Sequence, residues 1–86
     1  MKKQSAVITN PLGFHMRTAA LFAEEMGKYP CQVFVRYNGE DIDGKSTLSL
    51  MAACIKCGSE IEIICYGEQE TEALEAALDI IRTMQL

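Results

Sequence analysis

This chain has no apolar run near the ~20 residues that a membrane-spanning helix requires, so no membrane insertion is expected. Its opening, Met1 to Val7, has two lysines but lacks the apolar block of an export signal. A cytoplasmic protein is therefore expected, with Cys31, Cys54, Cys57 and Cys65 as reduced thiols. Repeats, linkers and low-complexity segments are also missing, and 86 residues make a single domain. Asp and Glu are absent from residues 1–23 and 44–59, while acids crowd into residues 60–86. The formal net charge of −4 argues against nucleic acid as a partner. Arg17, Lys45 and Lys56 lie in the acid-free stretches. If those stretches meet in space, an anionic group belongs on the positive surface they form.

The hydrophobic content of 49% is enough for a compact core. Lys3 to Thr9 alternates around Val7 and Ile8 and reads as a strand. Asn10, Pro11 and Gly13 break it. From Met16 the spacing is helical, with Ala19, Phe22, Ala23 and Met26 on one stripe and Thr18, Glu24, Glu25 and Lys28 off it. Gly27 and Pro30 mark the end of that helix. Residues 31–37 are rich in β-branched and aromatic types and read as a strand. Asn38-Gly39 then signals a hairpin with a type I′ turn, returning through a short strand from Glu40 to Asp43 with Ile42 inward. Ser46 is placed to cap a helix running from Thr47 to about Cys54. Glu60 to Tyr66 alternates, with Ile61, Ile63 and Cys65 toward the core. The longest helix spans Gln69 to Met84 and buries Ala73, Ala77, Ile80 and Met84, with Leu74 and Ile81 alongside. The order βαββαβα predicts an α+β domain, a mostly antiparallel four-stranded sheet covered on one face by three helices. These signals leave the strand order open.

His15, the only histidine, falls where a loop becomes a helix. Attack on phosphorus needs an unprotonated ring nitrogen and positive charge around the transferred oxygens. A helix N-terminus supplies free amides, the Met16 backbone among them, and a partial positive charge. Arg17 adds a fork of donors matched to phosphate. His15 is thus the candidate nucleophile and Arg17 its phosphate clamp. A lone histidine at a helix start also serves as a simple cap.

The stretch Gly13-Phe14-His15-Met16-Arg17-Thr18-Ala19-Ala20 resembles the active-site motif of the HPr family, the histidine phosphocarriers of the bacterial phosphoenolpyruvate-dependent sugar phosphotransferase system. The likeness continues at Tyr37-Asn38-Gly39, at Lys45-Ser46 and in the strand at 61–66, and covers essentially the whole chain. It implies an open-faced β-sandwich of four antiparallel strands under three helices, acting as a cytoplasmic monomer without a cofactor or metal. It also implies that Enzyme I phosphorylates His15, which passes the group to a histidine on a sugar-specific A component while Arg17 steadies it. The family motif usually has alanine at the position of Met16 and proline at that of Thr18. Proline in a first helical turn presets φ without losing a hydrogen bond. Thr18 gives up that stiffening and offers a hydroxyl to the phosphate, and Met16 makes the rim bulkier. A non-catalytic or specialised regulatory paralogue is the alternative.

Ser46 reads locally as a plain N-cap. The resemblance makes it the target of a dedicated ATP-dependent HPr kinase, with a regulatory protein as a further partner. A phosphate there would set negative charge on the partner-binding surface. Leu48 and Met51, with Lys45, are candidates for that surface; ordinary core is the other reading of the two apolar residues. Cys54-Ile55-Lys56-Cys57 is a lone CxxC, and a thiol redox or four-cysteine zinc protein is the further alternative.

Overall fold

The computed structural model describes residues 1–85. Its elements are β1 (Lys2–Val7), α1 (Met16–Met26), β2 (Gln32–Tyr37), β3 (Glu40–Asp43), α2 (Thr47–Ala52), β4 (Glu60–Tyr66) and α3 (Glu70–Thr83). The strands form one antiparallel sheet in the order β1-β4-β2-β3. Val33 sits opposite Cys65 and Val35 opposite Ile63, so the two central strands present one continuous apolar face. The helices cover that face, and Phe22, Met26, Leu50, Ala73, Ala77 and Ile81 close the core. Burial of each large side chain there contributes about 1.5–3 kcal/mol. The turn at Asn38-Gly39 has positive φ at both residues, 52° and 79°, as a type I′ hairpin needs.

Several boundaries differ from the sequence reading. β1 stops at Val7, and Ile8 is buried just beyond it, its amide donating to the Ser59 carbonyl at 2.9 Å. α2 ends at Ala52 because Cys54 adopts a left-handed conformation, φ 56°. On α3, Ala73, Ala77 and Ile81 form the buried seam, while Ile80 is only partly buried. The two alanines bring the helix axis close to the sheet, and Ile81, four residues on, continues their row. The largest correction is Thr18, expected off the apolar stripe of α1 but fully buried.

The cysteines divide by burial. Cys31 and Cys65 lie in the core, while Cys54 and Cys57 are exposed, so the four thiols do not converge. Among the described residues no three His, Cys, Asp or Glu side chains are grouped to hold a metal ion. Burial, followed by the neighbouring Cys31, pushes the Cys65 thiol up to about 11. Because this thiol ionises more readily in the unfolded chain, its contribution is intact below about pH 9 and is lost as pH rises toward 11. Denaturant midpoints measured from pH 8 to 11 should fall over that window, and the fall should be smaller in a Cys65→Ala background, whose midpoint is lower throughout for loss of a buried side chain. At pH 8 an alkylating reagent should add two labels quickly to the folded protein and two more only in denaturant, counted by intact mass.

Candidate functional site

The loop before α1 is built to present one side chain. Asn10 is buried, and its Nδ2 donates to the Gly13 carbonyl at 2.8 Å. Gly13 has φ 65° and packs so tightly on the 55–56 backbone that a Cβ there would overlap the Ile55 carbonyl oxygen. The Phe14 amide donates to that same carbonyl at 3.0 Å. The Phe14 ring is buried edge-on against Phe22, with centroids 5.4 Å apart and planes at 74°. With residues 10, 13 and 14 anchored, His15 follows as the N-cap of α1 in extended conformation.

The half-buried ring has two unlike nitrogens. Nδ1 accepts from the Arg17 amide at 3.3 Å, facing the first turn of the helix. Nε2 is buried and has no hydrogen-bond partner. An amide can donate only to an unprotonated nitrogen, so the neutral ring carries its proton on Nε2 and its lone pair on Nδ1. The Met16 amide has no acceptor among the described residues, as expected of a first-turn donor. Arg17 is exposed, and its guanidinium pairs with no acid among the described residues. One nucleophilic nitrogen thus lies beside a free amide, the positive end of a helix and an unpaired guanidinium on the same turn.

The two acid-free stretches do meet, since loop 8–14 lies against residues 55–59. Lys56 belongs to this junction, but Lys45 does not. Its Nζ donates to the Tyr29 carbonyl at 2.6 Å, just past the far end of α1, an 11-residue helix about 16 Å long. Lys45 therefore ties α2 to α1 instead of adding charge beside His15. The Thr18 hydroxyl is not free for a phosphate: it donates to the Gly13 carbonyl at 2.7 Å and accepts from the His15 amide at 3.1 Å.

Ser46 caps α2, its hydroxyl accepting from the Ser49 amide at 3.1 Å. It sits at the Lys45 end of that helix, while residue 55, past the other end, touches the His15 loop. Leu48 is 76% exposed and Met51 is half-buried, leaving Leu50 as the core residue of α2. Leu12, Met16 and Leu21 are also exposed, Leu12 and Met16 close to His15 in the chain and Leu21 further along α1. Sequence reasoning missed Asn10 and the Ile55 carbonyl as supports. Asn10 could have been flagged as an Asx residue before Pro11, whereas nothing local marks residue 55 as a neighbour of residue 14.

Known proteins share the sequence pattern and the fold. The family model described as the PTS HPr component phosphorylation site matches residues 2–83. The phosphocarrier protein HPr of Pseudomonas aeruginosa is 44% identical over 75 residues, covering 86% of this chain and 83% of that protein. Among solved structures, HPr from Thermoanaerobacter tengcongensis superposes with a TM-score of 0.93 at 30% identity, covering 96% of this chain and 93% of that one. The Bacillus subtilis catabolite-repression protein Crh, reported as a dimer with a swapping domain, gives 0.78 at 31% identity over 100% and 99% of the two chains. Sequence and fold agree, and the chain belongs to the HPr family of phosphocarrier proteins of the phosphotransferase system.

Proposed function

We propose that this protein accepts a phosphoryl group on Nδ1 of His15 from phosphorylated Enzyme I and passes it to a histidine of a sugar-specific A component. The observation that carries the reading is the orientation of the ring, with its lone-pair nitrogen at the helix start and the other nitrogen closed off. The Nδ1 pair, released by the Arg17 amide, forms the new N–P bond as the donor's bond to phosphorus breaks and the donor leaves with that electron pair. Nε2 keeps its proton throughout. The Met16 amide and the Arg17 guanidinium receive the phosphoryl oxygens, whose charge is spread widely in the transition state. Transfer to the A component is the same step in reverse, with the partner's nitrogen attacking. No cofactor enters, because the incoming group is already activated.

Leu48, Met51, Met16 and Leu21 with the cations Arg17 and Lys56 suit a partner that presents an apolar patch ringed by acids. The protein works in the cytoplasm as a monomer. Incubation with Enzyme I and labelled phosphoenolpyruvate should add one phosphate that acid removes and alkali does not. An acid-stable product would instead mark serine chemistry.

The likeness to Crh favours a second reading, a regulatory module phosphorylated at Ser46 and bound by a regulatory protein. A phosphate at that N-cap is favourable for α2 and adds up to about two negative charges to the docking face. Labelling by an ATP-dependent HPr kinase, lost in Ser46→Ala, together with no labelling by Enzyme I, would establish this reading over the first.

A further inference from the structure

Thr18 occupies the third position of α1, fully buried and out of reach of any docking partner. Its hydroxyl donates to the Gly13 carbonyl at 2.7 Å and accepts from the His15 amide at 3.1 Å. The return arm of this capping box runs from the Thr18 backbone to the His15 side chain. One residue thus bridges the glycine before the histidine, the backbone of the histidine and its ring. The Gly13 carbonyl also accepts from Asn10 Nδ2 at 2.8 Å and from the His15 amide at 3.2 Å. The loop is therefore closed from both its start and the helix that follows it.

We propose that Thr18 is a positioning residue for phosphoryl transfer: through the Gly13 carbonyl and the His15 amide, its hydroxyl holds the imidazole with Nδ1 at the helix start. The inference rests on the carrier reading for its kinetic consequence but not for its structural one. Three bonds converge on the Gly13 carbonyl, so φ and ψ of residues 13–15 are set before any phosphate arrives. On that fixed backbone the Arg17 amide holds Nδ1, and with it the direction of the lone pair on which in-line attack depends. The Arg17 guanidinium can then hold the oxygens without also having to orient the ring. The buried, unpartnered Nε2 makes this support necessary, because no second-side hydrogen bond holds the ring.

Thr18→Val tests the hydroxyl alone, since it keeps the shape and the backbone amide. The groups it leaves behind still pair with each other, the His15 amide with the Gly13 carbonyl at 3.2 Å, so the variant should fold. With Enzyme I and phosphoenolpyruvate, the maximal rate should fall roughly fivefold, as for loss of one hydrogen bond. The KM for Enzyme I should not change. Thr18→Ser should restore the rate. Ring ¹⁵N chemical shifts of the neutral imidazole give a readout independent of any partner. The wild type and Thr18→Ser should show one dominant tautomer, protonated on Nε2, and Thr18→Val a mixture. If Thr18→Val lowers only the melting temperature, with rate and ring shifts unchanged, Thr18 is merely structural and the proposal falls. If Enzyme I never labels the wild type but the tautomer responds as described, the carrier reading fails while the positioning role stands.

Discussion

His15→Ala should accept no phosphate from Enzyme I, and Arg17→Ala should accept it at a rate lowered by about 10²-fold or more. The two losses differ in kind. Without the ring there is no lone pair to form the N–P bond, and no other imidazole exists in the chain to replace it. Without the guanidinium, the Met16 amide and the helix dipole still receive the oxygens, so transfer slows but continues. His15→Ala also removes the acceptor for the Arg17 amide, a lost cap worth about 0.5–2 kcal/mol. It should still fold, and its circular dichroism should overlay that of the parent. Intact mass after incubation with Enzyme I and phosphoenolpyruvate reads the outcome directly. An acid-labile phosphate on His15→Ala would remove the nucleophile assigned here.

Gly13→Ala should be the most destabilising single methyl in the molecule. A side chain at φ 65° is strained by about 1–2 kcal/mol before it meets anything. Here it also meets backbone, with the Ile55 carbonyl oxygen overlapped and Lys56 Cα at 2.9 Å, and neither can rotate aside. Relief requires the loop to lift from residues 55–56, which breaks the Phe14 amide bond to Ile55 and disturbs Phe14 against Phe22. A total loss of about 3 kcal/mol or more is expected. For a domain of this size that corresponds to a fall of roughly 12 °C or more in Tm. By contrast Gly39→Ala, at φ 79° in open space, should show only the strain. Thermal melts of the two variants side by side separate strain from collision. If Gly13→Ala melts no lower than Gly39→Ala, the collision at residue 55 is not there.

Much of the fold was legible because its signals are short-range. Alternation in Glu60 to Tyr66 and the stripe from Ala19 to Met26 follow from the 2.0 and 3.6 residue periods, and both faces are buried as read. The Asn38-Gly39 turn and the Ser46 cap involve only neighbours within three residues. Thr18 was misread because helical periodicity counts faces but not what packs over the first turn. There the preceding loop folds back on the helix, and a residue off the apolar stripe becomes buried. Lys45 was misread for a related reason: charge counting puts it among the acid-free cations, but its partner is a carbonyl 16 residues away.

By itself the sequence determined the order of elements, the hairpin and the Ser46 cap, and it singled out His15 as the candidate, because each depends on backbone sterics or chemistry confined to a few adjacent residues. Only the tertiary structure decided the strand order, the burial of Thr18, the position of Lys45 and which ring nitrogen faces the helix start. Those depend on contacts such as Phe14 with Ile55 and Tyr29 with Lys45. The residues in them are brought together by burial of the shared core and by pairing of backbone groups removed from water, and no local pattern records which of them will meet.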